Sequence, residues 1–165
     1  MTRKGKRQDL LRDFSGFNPT VTSLLELTTE ILDVWGIFDL GEYPLSSFRK
    51  GRVCVIGDAA HATSPHHGSG AGFCIEDSAI LATLLADQRV DSHDDLAMAL
   101  EAFSSCRKER TQWLVRSSRL NGDVYQCQAP GIGNDPTKIE QHLLQEHTVI
   151  NDVSVLHLCG QAMRH

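Results

Sequence analysis

The chain has 165 residues, with 16 Lys and Arg against 21 Asp and Glu, and a formal net charge of −5 with its eight histidines neutral. That length, 41% hydrophobic and 22% charged, suits one ordinary domain with its own core, and it is short for an enzyme holding a large cofactor, a second substrate and a lid. No stretch approaches the roughly 20 apolar residues of a membrane span, and the negative balance argues against nucleic acid, which selects a basic face.

The basic start, Thr2-Arg-Lys-Gly-Lys-Arg7, leads into Asp9-Leu-Leu-Arg-Asp13, not into the apolar run of a signal peptide. Leu10, Leu11, Phe14 and Phe17 recur at helical offsets, so residues 1–18 predict a polar start with one helix face, stopped near Gly16. Pro19 opens a second helix at its first turn. Leu24, Leu25, Leu27, Ile31 and Leu32 stripe that helix through residues 20–34, and the alternating Trp35–Gly41 stretch reads as a strand. Pro44–Lys50 is a connector. Arg52-Val-Cys-Val-Ile-Gly57 behind Gly51 is the best-marked strand, a continuous apolar run that suits a buried position in an α/β sheet. From Gly70 the pattern turns helical to about residue 87, and a second long helix covers about 94–119. Within it, Cys106-Arg-Lys-Glu-Arg110 reads as a solvated charged face. Pro130-Gly-Ile-Gly-Asn-Asp-Pro136 is a turn-rich break; a short helix at 139–144 and a mixed apolar segment ending in Gly160 follow.

The five cysteines, at 54, 74, 106, 127 and 159, are odd in number and form no CxxC pair. They suggest neither a zinc ribbon nor a thioredoxin-like couple, and point to a reducing, intracellular and cytoplasmic setting. Cys54 and Cys74 read as small core residues.

The densest segment is Gly57-Asp-Ala-Ala-His-Ala-Thr-Ser-Pro-His-His-Gly-Ser-Gly-Ala-Gly72. Strand, Gly-Asp, glycine-rich bend and helix start together place a crevice at the carboxyl end of a strand, where α/β proteins bind ligands. Gly68, Gly70 and Gly72 let backbone approach a flat or phosphorylated group, and the amides opening the next helix favour partial negative charge. Asp58 can accept hydroxyl hydrogen bonds from a sugar or polyol, or it can simply cap a helix. The segment is not GxGxxG, because residue 73 is Phe, and it is not a P-loop.

Gly57-Asp-Ala-Ala-His-Ala, Pro65, Gly68-Ser-Gly-Ala-Gly72 and Ile75-Glu-Asp77 together resemble the second flavin-binding motif of the FAD-dependent aromatic hydroxylases. These are single-component flavoprotein monooxygenases that include the salicylate-hydroxylase-like group. Phe14–Pro19, Ile37–Leu40 with Pro44, Gly51–Val53, Leu81–Leu85 and Phe103–Arg110 extend the resemblance over roughly residues 10–120. The Pro-His-His-Gly version is similar to the fungal-type members.

The resemblance implies an α/β fold: a partial FAD/NAD(P)-binding Rossmann-like domain of the aromatic hydroxylase type, mostly helical in the part present. Residues 1–50 would be the end of the substrate-domain region with a connector, 51–120 the C-terminal part of the FAD-binding domain, and 121–165 a poorly matched tail with a short helix. The implied cofactor is FAD, with NAD(P)H as co-substrate, and the implied reaction is hydroxylation of an aromatic or related ring through a flavin C4a-hydroperoxide. Asp58 would hold the ribityl chain, Gly57 would let the chain turn beside it, and Pro65 would lie at the isoalloxazine edge. Gly68, Ser69, Gly70, Ala71 and Gly72 would offer backbone amides to the N1–C2 carbonyl side of the flavin. The family's usual Gly-Gln-Gly is Gly68-Ser69-Gly70 here, so no role falls to the side chain at 69. His61 reads as a buried support of the loop base, Glu76 and Asp77 as structural, and His66 and His67 as facing the flavin or substrate cavity. A metal site from Asp58, His61, His66 and His67 is not demanded by the spacing, nor is a Ser64-His61-Asp58 hydrolase; no residue is assigned as a catalytic nucleophile. The chain contains no GxGxxG after an N-terminal strand. It is therefore expected to be a fragment, inactive alone, with an aromatic substrate and oxygen as partners of the whole protein and with self-association or a complementing chain. The alternative is a truncated, non-catalytic paralogue acting as an interaction or regulatory domain.

Overall fold

The computed structural model describes residues 2–164, which divide into two compact units between Ile37 and Phe38. In the first, strands β1 (Thr2–Lys6) and β2 (Ile31–Trp35) pair antiparallel, with Thr2 opposite Trp35 and Lys6 opposite Ile31. Helices α1 (Arg7–Asp13) and α2 (Pro19–Glu26) lie between them in sequence. Asn18 accepts the Thr20 amide and Pro19 takes the first turn, the N-terminal chemistry expected for α2. The ribbon itself departs from expectation. Residues 2–6 are a strand, not a polar helical lead-in, and α1 ends at Asp13 with Phe14 and Phe17 beyond it. Nor does α2 run on to residue 34. Thr28 Oγ1 donates to the Leu25 carbonyl and Thr29 Oγ1 to that of Ile31, so two threonine side chains bond main chain past the helix end. Ile31 and Leu32 enter β2 instead, and Arg7 closes the turn through the Glu26 and Thr28 carbonyls and the Glu30 carboxylate. Of the strand expected at 35–41, only Trp35 is in a ladder.

The second unit begins with a hairpin of two-residue strands, β3 (Arg49–Lys50) and β4 (Val53–Cys54). The expected buried strand at 52–57 is thus two ladder residues of an antiparallel turn, and Val53 is 68% exposed. Among the described residues no further strand pairs with it, so the apolar run has no sheet to enter. Helix α3 (Asp58–His61), a 3₁₀ turn at Pro65–His67 and α4 (Gly70–Leu85) follow, then α5 (His93–Tyr125), α6 (Pro136–Asn151) and α7 (Val155–Ala162).

Helix α5 is the spine. Ser92 and Asp95 close a capping box at its start. Leu100, Phe103, Arg107, Thr111, Leu114, Ser118 and Asn121 form its buried stripe at the 3.6-residue period. Phe48, Ala60, Ile80, Leu84, Ala99, Phe103, Cys159 and Ala162 make the core, so α7 helps to seal it and Gly160 lies inside that helix, not at its end. The tail is far more ordered than the short 139–144 helix expected of it. Of the five free cysteines, Cys159 is buried, whereas Cys54 and Cys74 are only half-buried.

Candidate functional site

The glycine-rich segment surrounds one fully buried carboxylate. Asp77 accepts the Gly57 amide at 2.9 Å, His61 Nε2 at 2.7 Å and Arg107 Nε at 2.7 Å. Its partner Arg107 is also fully buried, with Nη1 2.8 Å from Glu76 Oε2 and Nη2 donating to the Phe73 carbonyl. Glu76 in turn accepts two bonds from Arg110, whose guanidinium lies 4.4 Å from the Phe73 ring centroid. Burial alone would raise the Asp77 pKa; the bonds from His61, the Gly57 amide and Arg107 outweigh it and hold the carboxyl below its ordinary value. The charged 106–110 segment is therefore not a solvated face at Arg107: the buried Asp77 carboxylate draws that side chain inward.

Asp77 thus pins the turn that exposes Asp58. Gly57 has φ +58° and ψ −141°, and a Cβ there would meet Cys74 Sγ at 2.8 Å. Gly57→Ala is expected to cost about 1–3 kcal/mol for the backbone alone, measured by urea unfolding. Adding Cys74→Ala should recover only the clash; full recovery would show that the conformation itself is unstrained.

The remaining predicted site residues lie around this anchor. Asp58 is exposed and its carboxylate makes no hydrogen bond among the described residues; it occupies the first turn of α3, which Gly57 precedes as cap. Pro65 is exposed, Gly68 closes the 3₁₀ turn with φ +66°, and Ser69 precedes α4 without capping it, its hydroxyl donating instead to the His67 carbonyl. Phe73 donates the first amide that closes α4, to the Ser69 carbonyl. The amides of Gly70, Ala71 and Gly72 therefore find no acceptor among the described residues. Cβ atoms at Gly68 and Gly72 would meet nothing within 4 Å. A helix start with free amides, an unpartnered carboxylate and glycines opening on space fit a flat, acceptor-bearing group with a hydroxylated chain, as FAD has.

The histidines separate. His61 is buried on Asp77 as a support, as expected. His66 and His67 turn toward α5. The His66 ring lies over Gly122, where a Cβ would meet it at 2.8 Å, and His67 is held by Ser117 and Asn121. Among the described residues no group of three His, Cys, Asp or Glu is placed to hold a metal ion.

Arg107 and the 121–165 partners of His67 went unread. Arg107 had a signal: Asp77 shares a helical stripe with Phe73, Ile80 and Leu84, and a carboxylate on an apolar face requires a cation. Asn121, His142 and Glu146 carried none, since their meeting depends on how α6 packs.

A family model described as "FAD binding domain" matches residues 22–118. The FAD-dependent monooxygenase SAT7 of Stachybotrys chartarum is 42% identical over 155 residues, covering 94% of this chain and 33% of that protein. A solved salicylate hydroxylase substrate complex superposes with a TM-score of 0.86 at 30% identity, over 98% of this chain and 38% of that one. Klebsiella pneumoniae HpxO complexed with FAD and uric acid gives 0.60 at 25% identity, over 95% and 37%. The chain belongs to the FAD binding domain family. Within it, the chain resembles the salicylate-hydroxylase-like FAD-dependent aromatic hydroxylases, and it spans about a third of the length of the curated relatives it matches.

Proposed function

We propose that the chain forms the ribityl and isoalloxazine half of the FAD site of an NAD(P)H-using monooxygenase acting on an aromatic or related ring. The observation that carries this is the uncapped start of α4, where the amides of Gly70, Ala71 and Gly72 find no acceptor among the described residues, together with an exposed Asp58 carboxylate in the first turn of α3. Asp58 accepts hydroxyl hydrogen bonds from the ribityl chain, and Gly57, lacking a side chain, lets that chain pass. Pro65 borders the ring edge and holds the turn rigid. Gly68, whose own amide bonds the Pro65 carbonyl, turns the loop, and Ser69, Gly70, Ala71 and Gly72 supply main-chain donors where the reduced ring would carry negative charge, already oriented before that charge appears. FAD, once reduced by NAD(P)H, supplies oxygen activation and transfer of one oxygen atom to the ring substrate. On this reading β4 is the margin of a Rossmann-like sheet completed by the remainder of a longer flavoprotein, and residues 51–120 are the C-terminal part of its FAD-binding domain. The free cysteines favour a cytoplasmic, reducing setting. No helix of the described residues is long and apolar enough to cross a membrane.

The 165-residue chain is expected to bind FAD weakly and to oxidise no NAD(P)H, because nothing in it resembles a GxGxxG cradle for the ADP half. Purification with excess FAD, followed by flavin quantification and an NAD(P)H oxidation assay, tests this. Stoichiometric flavin with turnover would overturn the inactivity. A heteromeric complex without flavin would favour the interaction-domain alternative.

A further inference from the structure

The loop that carries Gly68–Gly72 is fastened on its inner side by a chain of polar contacts that the flavin chemistry does not use. His67 Nε2 lies 2.9 Å from Ser117 Oγ, and Ser117 Oγ itself donates to the Leu114 carbonyl, so the imidazole N–H is the donor. His67 Nδ1 lies 3.0 Å from Asn121 Nδ2, and Asn121 Oδ1 lies 2.8 Å from His142 Nε2. With His142 donating, the Asn121 amide can only offer its N–H to a bare Nδ1. The His67 ring stacks on Trp113, with centroids 5.9 Å apart. Glu146 Oε2 lies 3.5 Å from His67 Nε2 and is otherwise buried without a hydrogen-bond partner. One 3₁₀ turn is thereby tied to both α5 and α6.

We propose that His67, in its neutral Nε2–H form, is a positioning residue for the cofactor loop, coupling the placement of Gly68–Gly72 to α5 and α6 through Ser117, Asn121 and His142. The assignment rests on the flavin reading of that loop and gives the 121–165 region a task in it. A proton added to Nδ1 would face the Asn121 N–H, and reversing the amide would set Nδ2 against the His142 donor, so the anchor exists only while His67 is neutral. The groups facing it are His66 from its own turn, Ser117, Asn121 and Trp113 from α5, and His142 and Glu146 from α6, with Tyr125 and His147 lining the same cavity of about 350 Å³. Burial lowers the His67 pKa. Glu146 opposes this, while His142 and His66 add to it. A lowered histidine pKa means that the anchor is at full strength above the ordinary value of 6.5 and is lost as pH falls below it through the folded value.

The test is amide hydrogen exchange of the 165-residue chain, corrected for intrinsic rates, at Gly68 (bonded to the Pro65 carbonyl) and Phe73 (bonded to that of Ser69). His67→Leu is expected to speed exchange at both amides by about 10-fold or more relative to the centre of α5. His67→Gln, which keeps one acceptor for Asn121 and one donor for Ser117, is expected to restore protection. It should also abolish the extra exchange expected of the natural chain as pH falls below 6.5. Leucine and glutamine variants that behave alike overturn the proposal. If the leucine variant does not fold, an unaltered pH dependence in His67→Gln overturns it by itself. FAD titration of a protein of the relatives' full length separates the two layers: the expected exchange order in the chain, with Asp58→Ala leaving the full-length protein's FAD affinity unchanged, supports the anchor and counts against the flavin reading alone.

Discussion

Replacing Asp77 by alanine is expected to lower the unfolding free energy of the chain by about 3–5 kcal/mol, the usual penalty for leaving a buried charge without its partner. Arg107 would keep Glu76 as its one charged partner, which already accepts two bonds from Arg110, and the neutral Phe73 carbonyl. The Gly57 amide and His61 Nε2 would lose their acceptor in the same step. Urea unfolding followed by circular dichroism gives the number. The double variant Asp77→Ala with Arg107→Met should recover much of the loss, since removing a buried pair together is far milder than removing one member. A loss below about 1 kcal/mol for Asp77→Ala, the level of an exposed pair, would mean that the network is not what holds this turn.

The same carboxylate sets a pH dependence. Its folded pKa is depressed, so its contribution is complete above the ordinary value of 3.8 and is lost as pH falls through the folded value. The natural chain should therefore show an acid-induced component of destabilisation that Asp77→Ala lacks.

Asp58→Ala is expected to act in the opposite way, on ligand and not on fold. Its carboxylate is exposed and bonds no other described residue, so the unfolding midpoint should barely move. FAD affinity, measured by fluorescence titration in a protein of the relatives' full length, should fall about 10- to 100-fold, the value of one or two hydrogen bonds to a charged acceptor. Unchanged flavin retention would leave Asp58 as the first-turn acid of the four-residue α3 and nothing more.

What could be read from the residues divides by the range of the forces involved. Helices α4 and α5 were visible because their apolar stripes repeat locally, and the Gly57–Gly72 segment because its glycines and Asp58 serve neither a helix nor a strand. The β1–β2 ribbon was invisible. Thr2-Arg-Lys-Gly-Lys6 has no apolar alternation, and its strand character comes from the partner Ile31–Trp35, far off in sequence. The 52–57 run misled in the other direction. Val53–Ile56 has the composition of a buried strand, yet burial needs neighbouring strands, and composition cannot supply them. Arg107 looked solvated because it sits among Lys108, Glu109 and Arg110; only the α4–α5 packing shows that it faces inward. The free amides at the start of α4 were legible in outline from the glycines, whereas the turning of His66 and His67 toward α5 depends on Gly122, Ser117 and Asn121, some 50 residues away.

The β3–β4 hairpin carries one more consequence, for handling. Val53-Cys-Val-Ile56 is a short apolar, β-prone run without a charge or proline, its first residue open to solvent beside an unpaired ladder edge. Such an edge is a template for the same segment of another molecule. Lys50 and Arg52, exposed on either side of the Gly51 turn, are the charges that oppose stacking there. Self-association of the isolated chain through this edge is thus expected to rise when these two basic side chains are removed.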